Sequence, residues 1–170
     1  MTLNDLPSDE ELSELFSVYC YYGFAAHRAQ ELEQTLINLA AFLQLERPSL
    51  RTQTFLADPY AKLDRGTMGQ VIKALKKLLD FDSSLDAQLC KALEARNQLA
   101  HRFFANEERL LTASGREQMI SELRNLSSVI TKANSAARQL LVTALARFGY
   151  SEQDIEREHR RWWKRVRGSE

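Results

Sequence analysis

From Ser8 onward the apolar positions of this chain recur at helical spacing, and no stretch shows apolar–polar alternation closed by hairpin turns. Ser8 followed by Glu11, just after Pro7, is a capping-box pattern. It predicts a helix running to about Glu46, where Pro48 stops continuation. Such a helix is roughly 55 Å long. Its segment Val18 to Ala26 is apolar or aromatic on nearly every side, which calls for more than one packing neighbour, and a dimer interface would supply the second. Pro48, Asp58, Pro59 and Gly66 predict an irregular connection or short helix over 47–66, and a second helix follows from about Thr67 to Asp80. A third starts near Ser84 and breaks around Ala105 or Asn106. After Ser114-Gly115, Met119, Leu123, Leu126, Ile130, Ala133, Ala137, Leu140 and Ala144 alternate steps of four and three. This is a packing seam held for about three heptads and ending around Gly149. Ser151, with Asp154 three residues on, resembles a further cap that opens a short basic helix. The expected fold is all-α: an antiparallel bundle of four to five main helices, two of them long, over residues 1–150, with a short basic helix or tail over 151–170.

A chain of 170 residues, 44% hydrophobic, can bury one sizeable core and most simply folds as one domain. Its net charge is zero but unevenly placed. Residues 1–156 hold 17 Lys and Arg against 21 Asp and Glu, and residues 157–170 hold 6 against 2, so the C-terminal end is basic. Cys20 and Cys90 lie inside helical patterns without metal-ligand spacing, as expected of reduced thiols in a cytoplasmic protein. The acidic N-terminus lacks the features of a signal peptide, and no uncharged run is long enough to span a membrane. Gly66-Thr67-Met68-Gly69 lacks the spacing and lysine of a phosphate loop. Zinc-ligand clusters, paired acids for magnesium and a nucleophile elbow are also missing. An enzyme built from this sequence is expected to work without metal or cofactor.

The most informative stretch is Arg96-Asn97-Gln98-Leu99-Ala100-His101. It lies within an amphipathic run marked by Leu85, Leu89, Ala92, Leu93, Leu99, Ala100 and Phe103. At about 100° per residue Arg96 falls within about 20° of the line joining Leu85 and Phe103, a place where a guanidinium needs a partner or a cleft. Asn97 and His101, four residues apart, are stacked neighbours, so the amide can orient the imidazole. An arginine, four intervening residues and a histidine in the third element of an all-α bundle resembles the HEPN family (higher eukaryotes and prokaryotes nucleotide-binding), and Asn97 fits the polar residue common after its arginine. The resemblance implies a homodimer in which the motifs of two subunits face one cleft. It also implies metal-independent cleavage of single-stranded or looped RNA, and a toxin or defence effector with a cognate antitoxin protein.

The chemistry agrees with the residue types. Cleavage by the 2′-hydroxyl of RNA needs proton transfers, which histidine performs near neutrality, and charge stabilisation at phosphate, which the planar fork of arginine supplies. Arg96 and His101 are therefore the expected catalytic pair, with Asn97 in support. Tyr22 is a candidate for stacking a base. Arg102 and the basic, tryptophan-bearing tail Arg160, Arg161, Trp162, Trp163, Lys164 and Arg165 are candidates for tracking an RNA backbone. Plainer readings stand beside these. Arg96 can pair with a carboxylate from another helix, His101 can be a surface residue, and the tryptophans can cover the bundle. The alternatives are a non-catalytic module of the same fold that binds nucleotide, RNA or protein, and a helical assembly protein joined to a partner through the seam from Met119 to Ala144.

Overall fold

The computed structural model describes residues 8–45, 63, 65–147, 149–151, 153 and 157. The described residues are all-α, with no strand. Among the described residues there are four helices, α1 (Asp9–Leu45), α2 (Met68–Lys76), α3 (Ser83–His101) and α4 (Ala113–Arg147), and a 3-10 turn, Glu107–Leu111, joins the last two. None is long and apolar enough to cross a membrane. The connection expected over 47–66 falls mostly outside the described residues. So does most of the tail, including Asp154, Arg160, Arg161, Trp162, Trp163, Lys164 and Arg165.

The helix starts follow from local chemistry. At α1 the Ser8 backbone N–H and hydroxyl donate to Glu11 Oε2 at 2.8 and 3.0 Å, and Glu11 N donates back to Ser8 Oγ at 3.3 Å. This is the expected box, and it satisfies donors a helix end otherwise leaves open. The Ser8 backbone bond, then the Ser8 hydroxyl and the more distant Arg116 guanidinium hold the Glu11 carboxyl below its ordinary value, against a small opposing desolvation. A carboxylate with a lowered folded pKa stabilises above its ordinary value, and the effect disappears as pH falls through the lowered one. Protection of the first-turn amides of α1, taken relative to their intrinsic exchange at each pH, is therefore expected to fall on acidification below about pH 4. Ser8→Ala should bring that loss of protection to higher pH. At α2, Thr67 N donates to Gln70 Oε1 at 2.8 Å and Gln70 N to Thr67 Oγ1 at 3.4 Å, a second capping box. At α3, Asp82 Oδ1 accepts from Leu85 N at 2.7 Å. The end of α4 is closed by Gly149 at φ +82, whose N–H donates to Ala146 O while Tyr150 N donates to Leu145 O, as a left-handed C-terminal cap requires.

The chain folds into two compact units, Met1–Gln34 with Leu79–Ser135 and Thr35–Leu78 with Ala136–Glu170. In the second, α2 buries Met68, Val71, Ile72 and Leu75, spaced three and four apart along one face. Leu36, Ile37, Leu39, Ala40 and Leu43 of α1 and Ala137, Ala144 and Leu145 of α4 are its other buried apolar side chains among the described residues.

In the first unit the buried apolar side chains among the described residues are Val18, Ala25, Ala29 and Leu32 on α1, Leu89, Ala92, Ala95 and Leu99 on α3 with Phe103 beyond it, and Met119, Leu123, Ile130 and Ala133 on α4. Each fully buried Leu or Val contributes about 1.5–3 kcal/mol. Contacts between α1 and α3 run in opposite order (Tyr19 to Phe104, Tyr22 to Leu99, Glu33 to Arg96), so these helices are antiparallel. Glu14 meets Arg116 and Tyr21 meets Arg124, so α1 and α4 run the same way here. The seam expected on α4 is largely the buried face, with Leu126 and Leu140 half-exposed at its edge.

The turn between α3 and α4 is fixed by polar contacts. Glu122 on α4 accepts from Gln98 of α3 and, at 2.7 Å, from Arg109 of the 3-10 turn. Thr112 caps α4 by accepting from Gly115 N at 3.1 Å, so Ser114-Gly115 belongs to the first turn of the helix rather than to the break before it. A side chain at Gly115 would collide with the Arg109 carbonyl oxygen and stand 2.8 Å from Thr112 Oγ1. Gly115→Ala ordinarily stabilises a helix by about 1 kcal/mol. Here it should destabilise by about 2 kcal/mol through overpacking, and the sign of the shift in denaturant midpoint decides between the two.

Candidate functional site

The C-terminal end of α3 carries the residues singled out from the sequence, and aromatic packing fixes where that end lies. α3 stops at His101, leaving its last carbonyls without helical partners. The Leu99 carbonyl is met by the Tyr22 hydroxyl, which donates at 3.3 Å, and the Gln98 carbonyl by the backbone N–H of Arg102 at 3.0 Å. Tyr22 packs against Phe104 and Phe103 with ring centroids 4.8 and 5.7 Å away, Tyr19 lies 5.7 Å from Phe104, and the two phenylalanines meet edge to face at 5.0 Å. Tyr22 is thus a half-buried strut and helix cap in this structure, not an open stacking platform.

Arg96 sits beside the buried seam of α3 rather than within it. Ala95 occupies the seam position between Ala92 and Leu99, whereas Leu85 and Leu93 are half-exposed and Ala100 is exposed. The buried stripe of Leu89, Ala92, Ala95, Leu99 and Phe103 is therefore centred about 20° from the expected line and about 40° from Arg96, and the guanidinium lies on its flank with 29% of the side chain exposed. Arg96 Nη2 is 3.9 Å from Glu33 Oε2, an ion pair at the outer edge of contact, and Nη1 donates to Asn97 Oδ1 at 3.4 Å. Asn97 is exposed and its oxygen serves the guanidinium, so the expected amide-to-imidazole contact is not formed. His101 is exposed, with no hydrogen bond or ion pair to any described residue, and Arg102 is exposed beside it. The chain thus brings Arg96 and Asn97 together and presents His101 and Arg102 one turn away.

Sequence reasoning missed the cation that the first unit buries most fully. Arg116 is 7% exposed; its Nε and Nη2 donate to Glu14 Oε2 at 2.8 and 2.6 Å, and its Nη1 donates to the Leu110 carbonyl at 2.8 Å. A signal was present, since Arg116 lies three residues before Met119 and extends the seam's own spacing backward. It lines a groove of about 760 Å³ with Glu14, Ser17, Glu117, Ile120 and Arg124. A second groove of about 440 Å³ is lined by Tyr21, Phe24, Arg124, Ser128, Thr131 and Lys132, where Arg124 donates to the Tyr21 hydroxyl at 2.7 Å. Arg96, Asn97 and His101 line neither.

Among the described residues, no group of three or more His, Cys, Asp or Glu side chains is placed to hold a metal ion. No protein-family model, curated protein or solved structure matches the chain.

Proposed function

We propose that this protein is a HEPN-like endoribonuclease that cleaves single-stranded or looped RNA without a metal, with Arg96 gripping phosphate and His101 transferring protons. The observation that carries this reading is the state of Arg96. A half-buried guanidinium is held at one end of a rigid helix by two long contacts, 3.9 Å to Glu33 and 3.4 Å to Asn97, leaving donors available for a phosphate oxygen. His101 follows five positions later, exposed, and supplies the imidazole that the proton transfers require.

In the proposed reaction an imidazole removes the proton of the RNA 2′-hydroxyl, whose oxygen attacks the adjacent phosphorus. The guanidinium stabilises charge growing on the phosphoryl oxygens. An imidazolium protonates the departing 5′-oxygen, giving a 2′,3′-cyclic phosphate and a 5′-hydroxyl. Two proton transfers call for two imidazoles, and positions 96 and 101 of one helix lie about 140° apart. The reading therefore assigns the site to two copies of the chain, each contributing one motif. Resemblance extends the proposal to a toxin or defence effector restrained by an antitoxin protein. The exposed free thiols of Cys20 and Cys90 fit a cytoplasmic setting.

Incubation of purified protein with RNA in chelator, followed by identification of the new ends, tests the mechanism. Cyclic phosphate ends are expected, and 5′-phosphate ends overturn it. One observation favours a second reading, a module that binds RNA without cutting: Asn97 serves Arg96, and no described residue orients the His101 ring. Retention of RNA without cleavage, lost in Arg96→Ala, would establish that reading instead.

A further inference from the structure

The groove between α1 and α4 that Arg124 and Lys132 line holds positive charge that its own walls do not balance. Arg28, Arg96, Arg109 and Arg116 of the same unit each pair with a glutamate. Arg124 and Lys132 pair with no acid among the described residues, Arg124 donating to the Tyr21 hydroxyl instead, and no Asp or Glu lines the groove. The hydroxyls on its α4 wall are unused as well. Further along α4, Ser135 and Thr143 donate to the carbonyls four residues earlier, at 3.1 and 2.9 Å, the ordinary way for a helix to satisfy a hydroxyl. Ser128 and Thr131 make no such bond and have no other side-chain partner among the described residues. Because Ser128, Thr131 and Lys132 are three and four apart, they share one face of α4 and gather two free hydroxyls and an ammonium within about one turn.

The remainder of the groove is apolar and aromatic. Buried Leu123 lines it from α4, and Tyr21 and Phe24 line it from α1, with Phe24 52% exposed. The Arg124 guanidinium lies 4.8 Å from the centre of the Tyr21 ring and that of Arg28 4.8 Å from the centre of Phe24, so a cation stands against each ring. Sites for small molecules are mostly apolar concavities of about 300–1,000 Å³ with a few convergent polar groups. At about 440 Å³, with its polar groups collected toward one end, this groove fits that description.

We infer that the α1–α4 groove binds a small aromatic carboxylate, its ring against Tyr21, Phe24 and Leu123 and its carboxylate accepting hydrogen bonds from Lys132, Ser128 and Thr131. An ionised carboxylate is the acceptor-only partner that an ammonium and two spare hydroxyls call for. A nucleic-acid strand fits less well, since it carries a charge at every nucleotide, whereas this groove has one cation at either end of a stretch of about 12 Å. Arg96 and His101 take no part in the groove, so the inference holds whether or not the protein cuts RNA.

NMR of the full chain titrated with indole-3-acetate tests it. Saturating shifts at Tyr21, Phe24 and residues 127–132 are expected, with a dissociation constant below about 1 mM. Indole-3-acetamide has the same body without the charge, and inorganic phosphate has charge without the body. Each should bind roughly tenfold more weakly or worse. Lys132→Gln and Phe24→Ala, both at exposed positions, should each weaken indole-3-acetate by a similar factor and leave helical circular dichroism unchanged. No saturation by about 10 mM overturns the inference, as does parent affinity in both variants. Equal affinity for the amide would make the groove merely apolar, and equal affinity for phosphate would make it merely cationic; either result also overturns the inference. So does a short uridine oligonucleotide that shifts these residues when indole-3-acetate does not, which would assign the groove to nucleic acid.

Discussion

His101→Ala is expected to lower RNA cleavage in chelator by ~10²- to 10⁴-fold, the usual contribution of a positioned acid or base, while leaving the fold intact. The side chain is exposed and bonded to nothing described, so its removal should change stability by less than about 0.5 kcal/mol. Arg96→Ala should cost about 10²- to 10³-fold through lost stabilisation of phosphate charge. Its structural cost should be small, because the ion pair with Glu33 is long and part-exposed. Arg96→Lys separates charge from geometry. A point charge without a planar fork restores binding but little of the rate if two-point contact with phosphate is what matters. Gel-resolved initial rates alongside thermal melts provide the measurement. Unchanged cleavage in both alanine variants would remove these residues from the chemistry and leave a contaminating nuclease as the source of any activity.

Arg116→Ala should cost about 3 kcal/mol of stability, because it takes away a buried cation that joins α1, the 3-10 turn and the start of α4. For a chain of this size that corresponds to a fall of about 6–12 °C in melting temperature. Glu14 is 41% exposed, so water can solvate the carboxylate left behind, which keeps the cost toward the lower end of the range for broken buried pairs. Glu14→Gln is the harsher half of the cycle, since it leaves a buried guanidinium with one weaker acceptor and the Leu110 carbonyl. Combining the two changes should cost clearly less than their sum, with a coupling of about 1–2 kcal/mol. Additive losses in urea titrations would mean that the two side chains stabilise the fold independently.

How far the sequence reveals this structure depends on how local each determinant is. The capping box of Ser8 and Glu11, the seam from Met119 to Ala144 and the end near Gly149 all rest on residues within a few positions of one another, and they are readable in advance. On α3, alanine conceals the pattern. Ala95 is buried on the side of the stripe away from Arg96, and an alanine gives no sign of which side it faces, so the apolar spacing alone sets Arg96 nearer the centre of the buried face than it lies. The contact of Tyr22 with the Leu99 carbonyl spans 77 residues, and that of Glu14 with Arg116 spans 102. Such pairs leave no periodic trace, because each depends on which helices become neighbours and in which direction they run. The same limit applies to Asn97, whose alternatives, Arg96 and His101, are equally accessible along one helix.

Glu122 binds Gln98 on one side of the α3–α4 connection and Arg109 within it, and the Arg109 carbonyl leaves no room for a side chain at Gly115. Both constraints depend on the number of residues from 102 to 112. Surface connections usually accept added or deleted residues freely. This one has a set length, because gaining or losing a single residue would carry Arg109 away from its carboxylate and turn the start of the last helix out of register.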